Sequence, residues 1–184
     1  MQYPHITNLT AEEYVSTAGW KKAPPPPCCQ GLSCQECGAQ KHGTYTRKYP
    51  HGIKIARWYC QRCQKTFSAL PIFLASCYRG TLAELERQVA LAETASSLME
   101  AVRILYPNHP HPEHLWRTLK RRVTRVHQCL SALSGLLLVL SLTPPKVVEV
   151  REWLSSEAVL CELRKLGQAQ LPQLSIPLGF HLPP

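Results

Sequence analysis

The spacing of hydrophobic and polar positions changes partway along the chain. Between Gly43 and Tyr59 large side chains alternate with polar ones. From Thr81 onward they recur every three or four residues. A period of two marks strands and a period near 3.6 marks helices. The alternation predicts strands over Gly43–Tyr49 and Ile53–Tyr59, joined by Pro50-His51-Gly52, with Thr66-Phe67 returning as a short third strand. In the second strand Ile53, Ile55, Arg57 and Tyr59 fall on one face, and Lys54, Ala56 and Trp58 on the other. Ahead of the strands, Thr10-Ala-Glu-Glu13 reads as a capping box that opens a short helix, with Tyr14 and Val15 on its apolar side. Pro24–Pro27 reads as a stiff, extended spacer.

The second half predicts helices. Thr81-Leu-Ala-Glu84 is another capping box, followed by Leu82, Leu85 and Val89 at helical spacing. Ser96 or Ser97 restarts a helix carrying Leu98, Val102 and Leu105, and Pro107-Asn-His-Pro-His-Pro112 breaks it. A long helix then runs from near Glu113 to about Leu142. Its apolar row is Leu115, Leu119, Val123, Val126, Leu130, Leu133, Leu137 and Leu140, mostly spaced alternately by four and three. Such a row is either the core stripe of a bundle or a heptad-like homodimer seam. Thr143-Pro144-Pro145 ends it. A further helical region holding Trp153, Leu154 and Leu160–Leu166 stops at Gly167, before a proline-rich tail.

Four cysteines add chemistry to this outline. Cys34 and Cys37 form one Cys-x-x-Cys pair, Cys60 and Cys63 a second, and residues 38 to 59 separate them. Each pair suits a tight knuckle that turns two thiolates toward one tetrahedral Zn2+, at about 2.3 Å per Zn–S bond. Gly38 suits a knuckle that is followed by a residue of positive φ. Disulfides require an oxidising compartment, and the opening residues carry no basic-then-apolar leader. A thioredoxin-like redox motif requires a βαβ setting and leaves the other pair unexplained. The expected fold class is therefore mixed α+β: a small β zinc ribbon with one structural Zn2+, followed by an all-α, helix-turn-helix-like region. The segments are 1–27 (helix and polyproline linker), 28–80 (ribbon), 81–143 (helical domain with the long helix), 144–167 (C-terminal helices) and 168–184 (tail).

Charge narrows the function. The formal net charge is +9. Between Glu36 and Glu84 there is no acid, while Lys41, Arg47, Lys48, Lys54, Arg57, Arg62, Lys65 and Arg79 are basic. Between Glu113 and Glu149 the pattern repeats with Arg117, Lys120, Arg121, Arg122, Arg125 and Lys146. One-signed blocks suit a polyanion, and nucleic-acid phosphate is the usual one. The longest apolar run, Leu136–Leu140, is far short of the roughly 20 residues that span a bilayer. The chain has no aspartate, and its basic blocks hold no carboxylate. Two-metal nucleic-acid chemistry uses clustered carboxylates, so a nuclease or transposase activity of that type is excluded from the expectation. His114-Leu-Trp-Arg117 matches the His-x-x-Arg box of tyrosine recombinases, but no tyrosine follows Tyr106 to act as nucleophile.

On the long helix each residue advances about 100°. Arg117, Arg121 and Arg125 then form one row away from the leucines, with Lys120, Thr124 and Gln128 beside it and Arg122 at the apolar edge. A helix, a breaker and a basic helix outline a module whose second helix enters the major groove of duplex DNA. In the ribbon, Tyr45, Tyr49, Trp58 and Tyr59 interleave with cations and are either its core or stacking surfaces for bases. The expected nucleic-acid contacts are Lys41, Arg47, Lys48, Lys54, Arg57, Arg117, Lys120, Arg121 and Arg125.

Cys34-Gln-Glu-Cys-Gly38, Lys41-His-Gly-Thr-Tyr-Thr-Arg47, Arg57-Trp-Tyr-Cys-Gln-Arg-Cys63 and Thr66-Phe-Ser-Ala-Leu-Pro-Ile-Phe-Leu74 together resemble zinc-ribbon proteins of unknown function from bacterial mobile elements. They also resemble the N-terminal zinc-binding domains of insertion-sequence transposases. The resemblance covers about residues 34–80. It implies zinc on Cys34, Cys37, Cys60 and Cys63, and a double-stranded DNA binder acting beside a recombinase or transposase or as a regulator, in the bacterial cytoplasm at the nucleoid. No transposase catalytic domain is present, so no activity is expected. Two alternatives remain: a protein-interaction subunit of a recombination or RNA-guided complex, and a single-stranded RNA binder.

Overall fold

The computed structural model describes residues 2–26, 38–75, 78–137 and 146–166. Cys34, Cys37, the end of the leucine row at Leu140, the Thr143-Pro144-Pro145 stop and the tail after Leu166 lie outside the described residues. The chain divides after Thr81 into two compact units.

The first unit is built on a four-stranded sheet of order β1-β4-β3-β2. Its strands are β1 (Gln2–His5), β2 (Ala39–Thr46), β3 (Lys54–Cys60) and β4 (Lys65–Pro71). β2, β3 and β4 form an antiparallel meander, with Trp58 opposite Phe67 and Ala56 opposite Ala69. Burial along β3 does not follow the expected alternation: Ile55 and Ala56 are both fully buried, and Arg57, Trp58 and Tyr59 are all half-buried, as in a strand covered on both faces. Ala56 and Cys60 join Tyr3, Ala23, Phe67 and Ala69 in one apolar cluster, with Trp58, Trp20, Ala39 and Cys63 packed against it. Ile53 and Ile55 are also buried. β2 is the exposed edge. A bulge between Lys41 and Thr44, with Gly43 at φ 91°, interrupts its register and blunts it for pairing with another chain.

The N-terminal segment departs from expectation. Residues 2–26 are not set apart from the strands of the ribbon. β1 pairs parallel to β4, with Tyr3 opposite Ala69, and the Tyr3 hydroxyl donates to the Pro24 carbonyl at 2.5 Å. The expected helix is present as α1 (Ala11–Ser16), closed by a reciprocal Thr10–Glu13 capping box. Its Tyr14 is fully buried against His5, Trp20 and Phe73. A short 3-10 helix, Gly19–Lys22, follows.

The second unit is helical: α2 (Leu82–Thr94), α3 (Leu98–Leu105), α4 (Pro112–Leu137), α5 (Val147–Leu154) and α6 (Val159–Leu166). Ser97 caps α3, its hydroxyl accepting from the Glu100 amide at 3.1 Å. Pro112 occupies the first position of α4, where a missing N–H costs nothing. α2, α3 and α4 pack on one another around Ala101, Val102 and Leu119. Leu119, Val126, Leu130 and Leu133 are at most 3% exposed, so the described part of the leucine row is the core stripe of this chain. A homodimer seam there would require those side chains to give up their own core. The C-terminal helical region is two helices, broken at Ser155 in the left-handed conformation.

Two glutamates of α2 fasten those last helices. Glu93 accepts from the Val147 and Val148 amides at 2.9 and 3.1 Å, at the start of α5, and lies 2.7 Å from His127 Nε2 on α4. Two turns earlier, Glu86 accepts from the Leu160 amide in the first turn of α6 and from Arg151 of α5, both at 3.1 Å. Both carboxylates are almost fully buried. Each satisfies donors that the first turn of a helix leaves without intrahelical acceptors.

Candidate metal knuckle and basic faces

Cys60 is the last residue of β3, and Lys65, its partner across the ladder, opens β4. Residues 61–64 make the turn between them, so Cys60 and Cys63 sit on one hairpin end. Gln64, directly after Cys63, takes φ 51°, whereas Gly38, where the sequence led to a positive angle, does not adopt one. Cys60 is buried, Cys63 half-buried, and both adjoin the apolar cluster. Two sulfurs on one hairpin end are the half-set of ligands that a Cys-x-x-Cys knuckle can offer a Zn2+. Ala39 pairs with Cys60 at the same end of the sheet and follows Cys37 by two residues in sequence.

The expected basic residues fall into three groups. Lys41 and Lys54 converge on the 3-10 helix. Lys41 Nζ donates to the Lys21 carbonyl at 3.1 Å, and Lys54 Nζ stands 5.3 Å from the Trp20 ring centre. With Lys21 and Lys22 this makes four exposed lysines, none in an ion pair among the described residues. Trp20, Lys21 and Lys22 carry no sequence signal for this cluster, since they reach it only through the long-range pairing of β1 with β4. Lys48 is exposed in the β2–β3 turn, over the Tyr49 ring at 5.8 Å. Arg57 is half-buried on the central strand β3.

Arg47 is a correction. It is half-buried, and its guanidinium donates to the Ala75 carbonyl at 2.7 Å and closely to the Tyr78 carbonyl. It ties the Ala75 and Tyr78 carbonyls together, which engages the guanidinium that a phosphate contact would need free. The aromatic residues also separate. Trp58 packs on the cluster, Tyr45 and Tyr59 are half-buried, and Tyr49 is 47% exposed.

On α4 the spacing translates directly into geometry. Arg117, Lys120, Arg121, Thr124, Arg125 and Gln128 are all exposed. Among the described residues no carboxylate pairs with Arg117, Lys120, Arg121 or Arg125. Lys120 lies 5.2 Å from the Trp116 ring centre. Arg122 turns inward, donating to Gln88 Oε1 at 2.7 Å. The six residues Tyr106 to His111 between α3 and α4 exceed the three- or four-residue turn usual in a helix-turn-helix.

Comparison with protein-family models, curated proteins and solved structures finds no match to this chain. Among the described residues, no helix is long and apolar enough to cross a membrane.

Proposed function

We propose that this chain is a non-enzymatic, zinc-dependent protein that binds duplex DNA, accessory to a recombinase or transposase of a bacterial mobile element or acting there as a regulator. The observation that carries the reading is the row Arg117, Arg121 and Arg125 on α4, exposed, one-signed and without carboxylate partners among the described residues. α4 is 26 residues long, about 39 Å at 1.5 Å per residue, so one face can follow a groove past several phosphates. Guanidinium groups in this position take phosphate oxygens or the O6/N7 edge of guanine. The Lys21, Lys22, Lys41 and Lys54 cluster offers a second polyanion surface on the first unit.

Cys34, Cys37, Cys60 and Cys63 would hold one Zn2+. When bound, the ion would cross-link the two knuckles and add folding free energy to the first unit. The role of this chain's own residues is to present cations from a fixed frame. Replacing Arg117 and Arg121 together by alanine is expected to weaken duplex binding similarly across sequences. It should also reduce the slope of log K against log salt by about 2. Full affinity and an unchanged slope in a folded variant would remove α4 from the interface.

A further inference from the structure

The β2–β3 turn presents a constellation apart from the α4 row and the Lys21, Lys22, Lys41 and Lys54 cluster. Tyr49 is 47% exposed, and its ring is approached by two cations, Lys48 Nζ and the Arg79 guanidinium, each 5.8 Å from the ring centre. Lys48 and Arg79 are both exposed and neither has a carboxylate partner among the described residues. Tyr49 and Arg79 come from segments far apart in sequence, and both are anchored. The Arg47 amide donates to the Ile53 carbonyl at 2.8 Å, which closes the turn. The Arg47 side chain holds the carbonyls of Ala75 and Tyr78, which places the next residue, Arg79, beside Tyr49. The inward-facing arginine is thus the bracket that assembles the outward-facing group.

An exposed aromatic ring with two cations over it, on a turn braced from both sides, matches the chemistry of an unpaired nucleotide, whose base takes a ring face as the displaced cation moves to a neighbouring phosphate. The base stacks on the ring, and the cations take the phosphates on either side. A paired base inside a duplex has no free face to offer. We propose that Tyr49, Lys48 and Arg79 form a stacking site for an unpaired nucleobase. The ligand of this protein is then nucleic acid with a single-stranded portion, such as a frayed end, a flap or a loop. This rests on the nucleic-acid reading above and extends it to a different part of the polymer. Lys48 yields readily on its flexible stem, whereas Arg79 is carried on the braced loop.

The test uses the full zinc-loaded chain with labelled (dT)12, labelled (rU)12 and a 20-base-pair blunt duplex at one fixed salt concentration. Tyr49→Ala is expected to lower affinity for the single strands roughly 5- to 150-fold, and so to lower the ratio of single-strand to duplex affinity. Tyr49→Phe, which keeps the ring and loses only the hydroxyl, should restore that ratio. Lys48→Ala with Arg79→Ala should weaken single-strand binding and flatten its salt dependence. A tighter grip on (rU)12 or on (dT)12 assigns the strand to RNA or DNA. Equal single-strand affinities for the parent, Tyr49→Ala and Tyr49→Phe would overturn the stacking site. So would a parent protein that binds the duplex and neither single strand, and in both cases duplex binding through α4 would stand.

Discussion

Two buried residues near Tyr14 show how tightly single side chains constrain the first unit. A Cβ added at Gly19 would lie 2.4 Å from Cδ2 of the Tyr14 ring, and Tyr14 is fully buried and cannot swing away. Gly19→Ala is therefore expected to cost about 1–3 kcal/mol of stability, measured by denaturant unfolding. His5 is 6% exposed and its Nδ1 has no hydrogen-bond partner among the described residues. Burial holds its pKa below the ordinary histidine value of 6.5. The neutral form is thus the folded form, and the contribution to stability is complete above about pH 6.5. It is lost as pH falls from there through the lowered folded-state pKa. Unfolding midpoints of the parent between pH 7.5 and 5 should fall accordingly, and His5→Leu should flatten that part of the curve.

At the scale of elements, α2 is the organiser of the helical unit. Glu93 is desolvated by burial, which opposes ionisation, yet the His127 contact and the Val147 and Val148 amides outweigh this and hold its pKa below the usual value. A lowered carboxylate pKa contributes stability above the unfolded-state value near 4.5 and loses it as pH falls through the folded-state value. Glu93→Gln should cost about 1–3 kcal/mol at neutral pH and remove part of the acid-side slope below pH 4.5, as read by helical circular dichroism. An unchanged acid limb would mean that the carboxylate does not fasten α5. The meander and α4 were legible in the sequence because periods of two and 3.6 are local properties. So was the Arg117, Arg121 and Arg125 row, since a 100° advance fixes which side chains share a face. β1 was not legible: it is four residues long, contains Pro4, and pairs with a strand more than sixty residues away. Pro4 is tolerated because β1 lies at a sheet edge. The fastening roles of Glu86, Glu93 and Arg47 were not legible because their partners lie 28 to 74 residues off in sequence.

At the scale of the whole molecule, one architecture repeats in each unit. A buried frame, set by a few inward-turned polar groups, displays cations that have no carboxylate partners among the described residues. In the first unit Arg47 and the sheet frame Lys48, Tyr49 and Arg79. In the second, Arg122 and the leucine stripe face inward while Arg117, Lys120, Arg121 and Arg125 face outward. On the proposed reading, phosphate neutralisation by such faces would release counterions, so affinity would be governed by salt more than by sequence. The decisive measurement is the affinity of the zinc-loaded chain for random-sequence duplex DNA between 50 and 300 mM salt, beside a chelated sample. The account predicts a linear fall of log K with log salt, with a slope of several units, and weaker binding after chelation as the first unit loses its frame. No binding by the zinc-loaded chain at 50 mM salt would contradict it.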